Sequence, residues 1–113
     1  MTNTYKLNST VKTITIADVT IVPGQPLDKH GIVFVGDRCG VVVEKLSDTE
    51  ITVDFDSQKD FVCRLYDGSN LPKAGEKLYI DTANGKLTKN SSGTKQVGYF
   101  WKEMGGAVIF SLS

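Results

Sequence analysis

Hydrophobic and polar residues alternate along most of this chain with a period of two. The cleanest run is 50–55 (EITVDF), where Ile51, Val53 and Phe55 point one way. Glu50, Thr52 and Asp54 point the other way, towards solvent, as on a half-buried strand. Residues 11–22 (VKTITIADVTIV) alternate around Ile14 and Ile16 and restart at Val19 and Ile21 after Asp18. Short apolar runs follow at 32–35 (IVFV) and 39–45 (CGVVVEK), and 60–66 (DFVCRLY) sets Phe61, Cys63 and Leu65 on one face. Residues 77–81 (KLYID) and 86–89 (KLTK) flank Asn84-Gly85, a strong hairpin signal because both residues tolerate positive φ. Residues 97–101 (VGYFW) and 107–112 (AVIFSL) flank Gly105-Gly106 and predict a terminal hairpin.

No window of ten or more residues carries a helical apolar stripe. Eight or nine short strands therefore predict an all-β fold, a small β-barrel or sandwich with little helix. Residues 11–113 read as one β domain. Residues 2–10 are polar and free of Pro and Gly, and residues 1–10 read as an N-terminal arm.

Composition strengthens the strand reading. Of 113 residues, 12 are Val, 7 Ile and 11 Thr, against 4 Ala. Branching at Cβ suits a pleated surface better than a helix. Thirteen basic and thirteen acidic residues cancel. That neutrality argues against non-specific nucleic-acid binding, which draws on a basic excess. It is an average over unlike segments, however: residues 44–67 hold seven acids and three bases, and residues 68–113 hold six bases and three acids. No stretch approaches the ~20 apolar residues of a membrane helix, and residues 1–8 lack the apolar core of a signal peptide. Cys39 and Cys63, made in the cytosol, are expected as free thiols in strands.

The residues that carry chemistry do not assemble a site. His30, the single histidine, sits in a Pro/Gly-rich loop without a nucleophile signature and reads as solvated. The run Asp54-Phe55-Asp56-Ser57-Gln58-Lys59-Asp60 begins like a calcium loop, but Gln58 and Lys59 occupy the positions that need a ligand and a glycine. It reads as a strand face and a turn. Tyr79-Ile80-Asp81-Thr82-Ala83 suggests the strand-turn of a dimeric aspartic protease, in which paired carboxylates share a proton. Ala83 stands where that turn needs glycine, so Asp81 and Thr82 read as a hairpin entry. Tyr99-Phe100-Trp101 beside Lys89, Lys95 and Lys102 offers a base-stacking platform for single-stranded nucleic acid. Only Tyr99 and Trp101 share a strand face, with Phe100 on the other, so one ring side is expected in the core and the other in an interface. No catalytic, cofactor-binding or metal-ligating residue is assigned, and no cofactor is expected.

The second half carries a recognisable order of short motifs. Ala74-Gly75-Glu76-Lys77-Leu78-Tyr79-Ile80-Asp81 precedes Asn84-Gly85-Lys86-Leu87-Thr88. Gly93, Val97-Gly98-Tyr99 and a last strand ending in Phe110-Ser111-Leu112 follow. Upstream lie Gly24-Gln25-Pro26-Leu27 and the strand from Gly36 to Val43 (GDRCGVVV). This order resembles the small phage capsid cement, or decoration, proteins. Residues 1–22 match less well, and Arg38-Cys39 is bulkier than the usual step.

The resemblance implies a non-enzymatic virion protein, made in the host cytoplasm and bound to the capsid exterior. The implied partners are the major capsid protein and two further copies in a homotrimer, with no direct nucleic acid and no membrane. Thr2, Asn3, Thr4, Tyr5, Lys6 and Leu7 are then the candidate capsid-contacting arm, able to add a strand to a capsid sheet edge. Tyr66, Tyr79, Phe100 and Trp101 exceed what one small core needs and are the candidate oligomer interface. The alternatives are a nucleic-acid-binding barrel and the dimeric aspartic protease.

Overall fold

The alternating pattern becomes ten strands in a computed structural model, which describes residues 10–113. They are β1 (Val11–Thr15), β2 (Thr20–Ile21), β3 (Ile32–Val35), β4 (Arg38–Lys45) and β5 (Glu50–Asp54). The second half supplies β6 (Asp60–Cys63), β7 (Lys77–Asp81), β8 (Leu87–Thr88), β9 (Thr94–Met104) and β10 (Ala107–Leu112). The one helical element among the described residues is a 3₁₀ turn at Ile16–Asp18, and no helix is long and apolar enough to cross a membrane. The strands form two five-stranded antiparallel sheets, in the orders β1-β5-β4-β3-β2 and β6-β10-β9-β7-β8.

The all-β reading holds, and a sandwich describes the two sheets. Neither sheet closes into a barrel through a strand ladder. The first sheet does curl. Its opposite edges, β1 and β2, are joined only by residues 16–19. In a flat sheet, four spacings of about 4.8 Å would set those edges ~19 Å apart. A 3₁₀ turn advances only about 2 Å per residue and does not reach that far. The sheet therefore bends round a cluster of Val33, Val42, Ile51 and Val53, against which Ile14, Ile16, Val19, Leu27 and Phe55 pack. A bulge between Val42 and Glu44 in the β4–β5 ladder supplies part of the bend. The 3₁₀ turn interrupts the alternation expected across 11–22. It is held by Ile16 N–H donating to the Thr49 carbonyl (2.8 Å) and Val19 N–H to the Ile16 carbonyl (3.0 Å).

The other face of the first sheet meets the second sheet. Ile32, Phe34, Cys39 and Val41 share one core with Leu78, Ile80, Leu87, Val97, Phe100, Val108, Phe110 and Leu112. In the second sheet, Tyr66 makes a single parallel bridge to Leu87, so the chain leaving edge strand β6 crosses to the far edge. The β9–β10 connection uses Gly105 and Gly106 at φ 63° and 75°, the two left-handed positions a tight hairpin turn needs.

Two loops tie the sheets together at one end. An ideal Cβ on Gly24 would lie 2.3 Å from the Asn84 carbonyl oxygen, and one on Gly85 would lie 2.4 Å from that of Pro23. Both residues also hold positive φ, so only glycine fits at this crossing. Gln25 sits beside it. Its amide donates to the Gly85 carbonyl (2.7 Å), and its side-chain oxygen accepts the Ile32 N–H (3.1 Å). One side chain thus satisfies backbone groups from both halves of the molecule.

Asp54 departs from expectation. Alternation placed it on the solvent face with Glu50 and Thr52, yet it is only 5% exposed. The strand ends there, and the following turn folds back over the carboxylate. Oδ1 accepts Asp56 N–H (2.9 Å) and Thr10 Oγ1–H (3.3 Å), and Oδ2 accepts Lys59 Nζ (2.9 Å). Burial by itself pushes the carboxyl up. The Lys59 ammonium, the Asp56 N–H and the Thr10 hydroxyl together outweigh burial and hold it below its ordinary 3.8.

Two predictions follow from these ties. Gln25→Ala leaves the Ile32 N–H and the Gly85 carbonyl without their partner, and is expected to cost about 1–3 kcal/mol in urea unfolding. Asp54 stabilises the fold fully above its unfolded value of 3.8, and this contribution is lost as pH falls through the lower folded value. Asp54→Asn should therefore destabilise the protein at neutral pH and flatten the fall in stability below about pH 4, read by circular dichroism on acid titration.

Candidate interaction surface

The outward face of the second sheet is built by the same alternation that fills its core. On β9, Val97, Gly98 and Phe100 are buried, while Tyr99 and Trp101 turn the other way. Register places Tyr99 opposite Ser111 and Lys77, and Ile109 opposite Lys102 and Val62. Directly opposed residues share a face. A bulge beside Phe110 leaves Trp101 without a ladder partner. Its indole N–H donates instead to Ser111 Oγ (3.0 Å), which fixes the ring on this side. Trp101 is 44% exposed and Val62 56%. Half-buried Tyr79, opposite Gln96, continues the row.

The face is apolar along its middle and basic at its margins, where Lys77, Lys89 and Lys102 are exposed. A trough of about 540 Å³ runs through it, lined by Pro72, Glu76, Lys77, Tyr79, Lys89 and Tyr99. Two acids lie nearby, Glu76 in the trough itself and Glu103 next to Lys102. Glu76 Oε1 accepts the Lys73 N–H (2.7 Å), and the Glu103 carboxylate beside the Tyr66 hydroxyl pushes that phenol's pKa up.

The four aromatics expected at an interface do not form one patch. Tyr79 and Trp101 lie on the outward face. Phe100 is 7% exposed, sits opposite Phe110 and belongs to the core. Placing it at an interface is corrected by the one-residue step between strand faces that separates it from Tyr99 and Trp101. Tyr66 is half-buried against the core at its bridge to Leu87, away from the row. The aromatic count missed Val62 and Met104, 56% and 59% exposed. Val62 was legible, since it alternates with the inward Phe61 and Cys63.

The candidate arm, Thr2, Asn3, Thr4, Tyr5, Lys6 and Leu7, lies outside the described residues. Its root is described. The Thr10 carbonyl accepts the Phe55 N–H (2.9 Å), and the Thr10 hydroxyl reaches buried Asp54.

The residues weighed for chemistry have structural tasks. His30 is exposed at φ 65°, with its backbone N–H on the Val42 carbonyl (2.8 Å). It borders a groove of about 660 Å³ whose lining includes Pro26, Val41, Phe61, Val62 and Leu65. Cys39 and Cys63 are free and buried. Burial pushes the Cys39 thiol up to about 12 and raises that of Cys63, so neither supplies a thiolate at neutral pH. Asp56 accepts the Gln58 N–H (2.8 Å) and Asp81 the Ala83 N–H (2.8 Å), each holding its own turn. Among the described residues, no three His, Cys, Asp or Glu side chains gather to hold a metal ion.

No curated protein and no solved structure matches the chain. The family model of phage cement proteins matches residues 11–108. That span runs from the first residue of β1 into β10, and takes in the crossing of Gly24 with Gly85, the curled first sheet and most of the outward face. The chain belongs to the phage cement protein family.

Proposed function

We propose that this protein binds the outer surface of a phage capsid and stabilises it, as a homotrimer and without catalysis. The family match over residues 11–108 carries this reading. Cement proteins are structural, non-enzymatic components of the virion capsid. The physical task suits this body. A shell under outward load is reinforced by a small rigid part that spans joints between subunits and is present in many copies.

Two features support the contacts. The outward row of exposed Val62 and Trp101 with half-buried Tyr79 and Tyr99 suits association with protein, since aromatics are favoured in interface cores. Residues 2–7 contact the major capsid protein as an added strand, which their lack of Pro and Gly permits. Their root at Thr10 is anchored to Asp54 and Phe55, so a pull on the arm reaches the folded body.

Co-sedimentation with mature and immature capsids of the parent phage tests the reading. The protein is expected to pellet with mature capsids, and failure to bind either form overturns the proposal. Deleting residues 2–9 should weaken capsid binding at least tenfold while the far-ultraviolet spectrum stays that of a β protein. Unchanged binding would remove the arm from the contact.

A further inference from the structure

Two exposed surfaces are left whose apolar centres and charges are complementary. One is the outward face of the second sheet, with Tyr79, Tyr99 and Trp101 flanked by Lys77, Lys89 and Lys102. The other is the tip of the β4–β5 hairpin. Every residue from 43 to 50 is exposed there, including Val43 at 40% and Leu46 at 50%. The tip carries Glu44, Asp48 and Glu50 against one base, Lys45, which lies 3.9 Å from Asp48. Among the described residues the ion pairs are Lys45–Asp48 and Lys59–Asp54. Glu44 and Glu50 on the tip, and Lys77, Lys89 and Lys102 on the face, have none.

We propose that the β4–β5 hairpin tip of one copy docks on the Tyr79–Tyr99–Trp101 face of a second copy, head to tail. The inference rests on the self-association in the reading above and names its contact. Leu46 enters the trough over Tyr79 and Tyr99, and Glu44 and Glu50 meet Lys77 and Lys102.

The fold excludes the same contact within one chain. The two sheets meet through Ile32, Phe34 and Val41 on one side and Leu78, Phe100 and Phe110 on the other. The outward face of the second sheet therefore points away from the first. The hairpin tip lies at the end of the first sheet, beside the 3₁₀ turn, where Thr49 accepts the Ile16 N–H. Charge excludes the symmetric pairings. Face against face sets three lysines and one acid, Glu76, on their like, and tip against tip sets three acids and one base on theirs, so like-charge repulsion opposes both. Only the tip-to-face contact joins an apolar centre to an apolar centre with opposite charges at the rim. Such a contact is heterologous, and repeated about an axis it closes a ring.

Sedimentation equilibrium, over a range of concentrations and at low and high salt, tests the proposal. The wild-type chain should associate, and less tightly as salt screens the rim. Glu44→Lys with Glu50→Lys, and separately Lys77→Glu with Lys102→Glu, should each weaken association about tenfold or more. All four substitutions in one chain should restore it, because the tip is then basic and the face acidic. The positions are exposed, so circular dichroism should match wild type in every variant.

A wild-type chain that stays monomeric overturns the inference. So do reversals that leave association unchanged, or a fourfold variant that stays dissociated. Quenching of Trp101 fluorescence by a single-stranded oligonucleotide, with loss of self-association, would assign the face to nucleic acid instead. Capsid co-sedimentation run on the same samples separates the two readings. Intact self-association without capsid binding counts against the capsid reading alone, and capsid binding by a strict monomer counts against this contact alone.

Discussion

A five-stranded sheet whose opposite edges are joined by four residues is forced to curl, and the rest of this molecule is arranged around that bend. The curl gives the first sheet two apolar faces. Its inner side encloses Val33, Val42, Ile51 and Val53, and its outer side offers Ile32, Phe34, Cys39 and Val41 to the second sheet. A flat sheet would leave one of those faces in water. Bending also spares the protein a third layer, which matters in a chain of 113 residues with limited apolar area to bury. The bulge at Val43 belongs to the same device. It turns that side chain outward and starts the exposed hairpin tip.

Much of the strand pattern was legible because alternation reports directly which side of a strand is buried. β5, β7 and the β9–β10 hairpin lie where their apolar periods place them. The restart at Val19 was legible, but the 3₁₀ turn at Ile16–Asp18 behind it was not, because alternation alone does not show how two apolar runs are joined. What sets the turn is a tertiary requirement, the joining of two distant edges. Asp54 was misplaced for a related reason. Period-two reasoning assigns it to solvent, but at a strand end the following turn and a neighbouring strand decide burial. Asp54 is covered by residues on both sides of it in space, Thr10 and Lys59, which the local pattern does not connect.

The surface was harder to read than the core. Counting aromatics grouped Tyr66, Tyr79, Phe100 and Trp101, although adjacent strand residues face opposite ways and Phe100 pairs inward with Phe110. The row that is exposed mixes aromatic with aliphatic residues, so its signal lay in strand face rather than residue type. The motifs behind the family resemblance have a clearer physical basis. Gly24-Gln25 and Asn84-Gly85 are 60 residues apart along the chain at the Gln25–Gly85 hydrogen bond, and meet in one crossing that admits no larger residue. Their presence in one sequence records a single contact.

The pairing of β1 with β5 has a mechanical meaning. Five successive residue pairs, from Val11 opposite Asp54 to Thr15 opposite Glu50, join them antiparallel. Their hydrogen bonds lie across the strands. A pull at Thr10 along the axis of β1 therefore strains the whole ladder in shear, sharing the load among its bonds instead of breaking them one after another from an end. The buried carboxylate at Asp54 sits at the point where that load enters. The first strand is therefore placed to resist tension applied at Thr10.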